Sequence, residues 1–210
     1  MIDWSEYAKF FAGLVAIVNP VGAIPVFIAL TESQTPEERR HTGVRSALSV
    51  ALVLGTALVM GDALLRFFGI TIASFRVGGG FLIMLISISM MHGTHGRVRQ
   101  TEEEALDAAV RDSVAVVPLG IPFLAGPGAI SSIILFSQRA DSPAHYGILV
   151  GEILVVSLLV WGCFRAAPFV EKTLGRTGIN VVTRIMGLIM ASIGVEFIAS
   201  GLRQLFPGLN

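Results

Sequence analysis

The sequence predicts an all-α membrane protein of six transmembrane helices, arranged as a 3+3 inverted repeat in which helices one and four are broken. Three observations lead there. Hydrophobic residues make up 53% of the 210 positions and charged residues only 14%, against about 25% charged in soluble domains, and the mean hydropathy is +0.75. Two long charge-free runs carry the same interruption. Residues 10–30 contain Asn19-Pro20-Val21-Gly22-Ala23-Ile24-Pro25, and residues 113–138 contain Pro118-Leu119-Gly120-Ile121-Pro122 followed by Gly126-Pro127-Gly128-Ala129-Ile130. Finally, the landmarks repeat at one offset: Pro20 and Pro127 lie 107 positions apart, and Arg76-Val77-Gly78-Gly79 and Arg184-Ile185-Met186-Gly187 lie 108 apart.

Each span follows from local chemistry. The first, residues 8–30, exceeds the roughly 20 residues that cross a bilayer. Pro20 and Pro25 have no N–H, so the carbonyls of Ala16 and Val21 lose their helical partners, and Pro20 disfavours helical angles at Asn19. Non-helical backbone survives at membrane depth only where protein or a water-filled cavity covers it, so this break should face inward. The second span, 46–68, is preceded by Thr35-Pro36-Glu37-Glu38, a capping box with proline at the first helical position, which starts its helix near Pro36. Residues 70–91 form the third span. The longest polar stretch, 92–112, contains a second capping box at Thr101 and an apolar face suited to a helix on the membrane surface. Spans at 113–138, 147–166 and 183–203 complete the second half, with a polar loop between the last two. Gly187, Ala191, Gly194 and Gly201 make a small-residue stripe that lets another helix approach. The organisation is thus residues 1–91 as the first repeat, 92–112 as a cytoplasmic linker and 113–210 as the second repeat, within one integral membrane domain.

Charge orients the chain. Ten of the 15 basic residues fall in the loops after odd-numbered spans, and basic residues stay on the cytoplasmic side, so both termini should face outward. With three spans per half, the halves enter from opposite sides. The acidic N-terminus with no small-residue cleavage site does not read as a signal peptide, and Trp4 and Tyr7 suit the bilayer interface. The lone Cys163 excludes an internal disulfide framework. A net charge of zero offers nothing to nucleic acid.

Asn19-Pro20-x-Gly22-x-x-Pro25-x-Phe27, together with Pro118-x-x-x-Pro122-x-x-x-Gly126-Pro127-Gly128-Ala129-Ile130, resembles the MarC family of bacterial inner-membrane proteins. Length, span number and the polar loop between the halves agree, so the resemblance covers essentially the whole chain. It implies a 3+3 inverted repeat of the wider LysE-like exporter group, whose members are described as multiple-antibiotic-resistance proteins or neutral amino-acid transporters. It also places the chain in the bacterial inner membrane, where the outward termini expected from the charge bias would be periplasmic.

The candidate substrate-binding residues lie at the breaks: Asn19, Pro20, Gly22, Pro25, Pro118, Pro122, Gly126, Pro127, Gly128 and Ser131. Freed carbonyls and half-helix N-termini can hold a small zwitterion or anion without a charged side chain. Asn19 can contact substrate, or cap its own broken helix. Charges inside spans cost about 2.5–3.5 kcal/mol each, which makes Glu196, Glu152, Arg76, Arg184 and Asp62 coupling or gating candidates; Asp62 and Arg66, at i,i+4, read first as a structural pair. His92 and His95 have a metal-like spacing with no third ligand, so no metal is expected. No nucleotide motif or nucleophile–base spacing is present, so neither a cofactor nor an enzyme is expected. The expected partners are the lipid bilayer and a small-molecule substrate, with self-association left open. The resulting function is a secondary transporter or exporter of small polar solutes. A channel-like pore, or a scaffold that moves nothing, is the alternative.

Overall fold

A computed structural model describes residues 4–92, 124–139 and 142–209. All elements among these residues are helical: α1 (Trp4–Val18), α2 (Ile24–Leu30), α3 (Pro36–Phe67), α4 (Ile72–His92), α5 (Pro127–Ser137), α6 (Pro143–Gly175) and α7 (Thr177–Leu205), with a final 3₁₀ turn at Pro207–Leu209. Four of them, α3, α4, α6 and α7, are long and apolar enough to cross a membrane. The shorter α1, α2 and α5 fall in the two interrupted runs. Pro118, Pro122, His95 and the expected linker from residue 93 onward lie outside the described residues.

Capping chemistry sets several boundaries. Thr35 Oγ1 accepts from the Glu38 amide at 3.3 Å, and the Thr35 amide donates to Glu38 Oε2 at 2.8 Å, so α3 starts where its capping box places it. Ser142 Oγ accepts from the His145 amide and starts α6 with Pro143 at its first position. One boundary differs from the sequence expectation. The polar stretch 167–182, expected as a loop, is helical except for a single joint at Gly175, with φ 63° and ψ 177°. Its charges are long side chains that a helix tolerates at headgroup level, and Glu171 is held by Arg39.

Two sets of polar contacts mark opposite ends of the bundle. At one end Tyr7 meets His145, Glu6 lies 3.8 Å from Arg139, and Gln138 Nε2 donates to Asp62 Oδ1 at 2.8 Å. At the other, Arg39 joins α3 to Glu171 of α6 and donates from Nη2 to the Thr31 carbonyl at the end of α2. The pair α1–α2 therefore runs from one end to the other despite its break. Between the ends lies a core in which Phe27 stacks on Phe164 at 4.2 Å between ring centres, beside Gly43, with Leu54, Ile133, Ile134, Leu149 and Val156 fully buried. Large apolar side chains such as Leu52, Val59, Phe81, Leu158 and Leu188 point outward, as expected of a surface solvated by lipid.

The tightest helix pair is α4 with α7, running antiparallel. A Cβ built on Gly80 would lie 2.7 Å from the Gly194 carbonyl, one on Gly187 3.1 Å from the Ser87 carbonyl, and one on Gly201 2.7 Å from the Ala73 carbonyl. The stripe on α7 is thus a packing face on which backbone meets backbone.

Candidate functional site

The first break is a compact turn. Pro20 cannot continue α1, and Asn19 takes a left-handed φ of 48°, which asparagine tolerates better than most residues. Its Oδ1 then accepts from the Gly22 amide at 3.1 Å. The amides of Ala23 and Ile24 donate to the Asn19 and Val21 carbonyls at 3.1 Å each. The Val21 carbonyl, expected to be free, is therefore occupied, because the chain closes into a turn rather than opening. Gly22 is required by closeness, since the Asn19 amide group occupies the place a Cβ would take. Pro20, Gly22 and Pro25 are all buried.

The second break is built differently. Gly126 stands at the N-cap of α5 with no side chain to cap it, and Pro127 follows at the first position. The first helical amides have no acceptor within their own helix, so the Gly128 and Ala129 N–H groups lie at a fully buried helix start with no acceptor among the described residues. Walls from three other helices surround it. Gly79 of α4 lies against the Pro127 ring, and Gly128 lies against the Phe197 ring of α7, with the Ile17 side chain of α1 also beside it. The end of α1, just before the first break, thus meets the start of α5, just after the second. Ser131, with no exposed surface, donates to the Gly128 carbonyl at 3.1 Å and accepts from Arg76 Nε at 3.4 Å. A guanidinium from α4 is thereby anchored one turn from the open amides.

The other candidates are scattered. Asp62 pairs with Arg66 at 2.9 Å, near the end of α3, and also accepts from Gln138, which is the structural pairing its spacing suggested. Arg184, the counterpart of Arg76, is exposed, as is Glu196; neither is brought to the breaks. Glu152 on α6 is half-buried, and its Oε2 is buried with no hydrogen-bond partner among the described residues. Sequence reasoning missed Phe197 and Gly79 as walls of the second break, because nothing local to an apolar helix marks which of its faces meets a distant proline.

Residues 4–206 match the MarC family of integral membrane proteins. The chain belongs to that family. Among curated relatives of this MarC chain, the UPF0056 membrane protein YhcE of Escherichia coli (strain K12) is 48% identical over 99% of this chain and 96% of its own length. A UPF0056 membrane protein of Aquifex aeolicus (strain VF5) is 34% identical over 98% of each. The UPF0056 membrane protein YvbG of Bacillus subtilis (strain 168) is also 34% identical, over 99% of each. No solved structure matches. The MarC chain is accordingly a multi-pass integral membrane protein.

Proposed function

We propose that this MarC protein is a secondary transporter of small polar solutes in the bacterial inner membrane, and that its solute binds at the start of α5. The observation carrying this reading is the buried, uncapped N-terminus of α5 with the Arg76 guanidinium anchored on Ser131 beside it. Open amides at a helix start, with the positive end of the helix dipole, suit a carboxylate or similar anionic group. A neutral amino acid offers such a group. The half-turn at Asn19–Gly22 holds the end of α1 against this site, and a solute there is reached by loosening either break.

The reading includes the full fold. The crossing of α1–α2 supports counting them as one span, and the fourth span expected from the sequence at 113–138, of which α5 is the described part, would make six. Two features at the repeat offset support an inverted duplication. The contact of Gly80 with Gly194 has its counterpart, shifted by 107 and exchanged between halves, in that of Ser87 with Gly187. Gly69 and Gly175, both with left-handed φ, close the α3–α4 and α6–α7 junctions 106 positions apart. Broken helices at matching places in two inverted halves are the sequence pointer to a midplane transport site.

The test is counterflow in proteoliposomes across a panel of neutral amino acids and small organic anions. Saturable counterflow is expected, with Ser131→Ala and Arg76→Gln raising the half-saturating concentration. Loss of one hydrogen bond to a charged group is worth about 1.5–3 kcal/mol, or roughly tenfold to a hundredfold. Flux without saturation would mean a channel, and no flux for any solute would remove the transport reading.

A further inference from the structure

The end of the bundle opposite the N-terminus carries a second site, independent of the breaks and of any transport role. A cleft of about 310 Å³ opens between the start of α3 and the last turns of α6. Arg39, Arg40 and Arg165 line it, with Trp161, Phe164 and Gln34. Arg39 is the deepest of the three, its side chain only 16% exposed. Its two terminal nitrogens are engaged by Glu171 and by the Thr31 carbonyl. Its Nε–H, however, is buried with no partner among the described residues, an arrangement that costs free energy unless a ligand oxygen completes it. Glu171 pairs with one arginine, while Arg40 and Arg165 are exposed and have no ion pair among the described residues. The cleft lining therefore keeps a positive surplus.

Its chemistry and depth agree. Polar residues of α3 give way to apolar ones within two turns of Arg40, and apolar α6 turns basic at Arg165, so the cleft lies at headgroup level. Arginine forks match phosphate oxygens, and an indole ring such as Trp161, 39% exposed, favours that depth. We infer that this cleft binds a phosphate group, supplied by an anionic phospholipid from the leaflet around it.

The experiment uses the full chain in nanodiscs, in a Trp4→Phe background so that Trp161 is the sole tryptophan. Brominated phosphatidylglycerol is compared with brominated phosphatidylcholine as a quencher at equal mole fraction. Preferential quenching by phosphatidylglycerol is expected. Arg40→Gln with Arg165→Gln should weaken the preference roughly fivefold for each arginine removed, while the double Lys variant should keep it. Lys172→Gln, a basic change outside the cleft lining, should leave it. Both altered arginines are exposed, so folding should survive, and an unchanged thermal midpoint verifies this. If phosphatidylglycerol shows no preference but inorganic phosphate shifts Trp161 emission saturably, and only with the arginines present, the phosphate site stands with a soluble source. No response to either probe overturns the proposal. So does a preference that survives the double Gln change, or that Lys172→Gln reduces as much.

Discussion

Asn19 combines two demands that few residues meet together. It holds a positive φ, which costs other L-residues roughly 1–2 kcal/mol, and its Oδ1 caps the Gly22 amide. Asn19→Gly should therefore lose only the cap, about a few tenths of a kcal/mol, whereas Asn19→Ala should lose both, and thermal unfolding in detergent should rank them in that order. Equal midpoints would remove the backbone term. Asn19→Asp keeps the capping oxygen and adds charge beside the proposed site, so a folded protein with altered substrate affinity or pH dependence is expected; wild-type transport would leave Asn19 with the capping role alone. Neighbouring glycines make a second residue-scale contrast. Gly79→Ala places a methyl inside the Pro127 ring, while Gly78→Ala meets nothing within 4 Å. The first should destabilise by about 1–3 kcal/mol through overpacking. The second should be neutral or stabilising by up to about 1 kcal/mol, since alanine favours a helix over glycine. These contacts show where the sequence was legible. The proline and glycine punctuation marked both breaks, because backbone restriction is a local property. That the first closes on itself while the second stays open depends on the Asn19 side chain and on walls from α4 and α7, which no local pattern records.

Among elements, the junction of α1, α5 and α6 is held by one imidazole. His145 is buried at 3% exposure; its Nε2 lies 3.0 Å from the Phe136 carbonyl and its Nδ1 2.6 Å from the Tyr7 hydroxyl. A carbonyl can only accept, so Nε2 donates to Phe136, and the Tyr7 hydroxyl hydrogen-bonds the other ring nitrogen. Phe10 stacks on Phe136 at 4.0 Å, and Arg139 covers the same ring. Tyr7→Phe should cost about 0.5–1.5 kcal/mol and loosen α1, read as faster amide exchange over its first two turns with the core of α3 unchanged. Equal slowing or quickening throughout would mean that no local clamp exists. The sequence marked Tyr7 only as an interfacial aromatic, because a partner 138 positions away is invisible to periodicity. The same limit applies to Glu196. A helix apolar nearly all round has no readable inner face, and α7 turns Glu196 outward while presenting Gly194 and Phe197 to its neighbours.

At the scale of the whole molecule, both ends of the bundle are identified by their polar contacts, and the charge bias of the sequence predicts which end faces outward. Ser5 lies at the Tyr7–His145 end and Glu37 at the Arg39–Glu171 end. In a Cys163→Ser background, a cysteine at Ser5 should react with an impermeant maleimide in intact cells, and one at Glu37 should react only after the membrane is opened. The reverse pattern would invert the orientation. Four of the described helices are long enough to cross, while the count of six belongs to the proposed reading. The apolar character of the long helices was readable because membrane helices advertise their length. The near-continuity of α6 and α7 was not, since Arg165, Glu171, Lys172 and Arg176 have the composition of a loop. One joint of two dihedrals at Gly175 does the work expected of the loop 167–182. The seam between α4 and α7 has a further consequence. The contacts Gly80–Gly194 and Gly187–Ser87 are related by a shift of 107 positions, so the inverted duplication proposed above would give the seam the character of an isologous interface. On that reading, two separate copies of one half inserted in opposite directions should form the same seam. A single polypeptide built this way needs no pairing information beyond what each half already carries for itself.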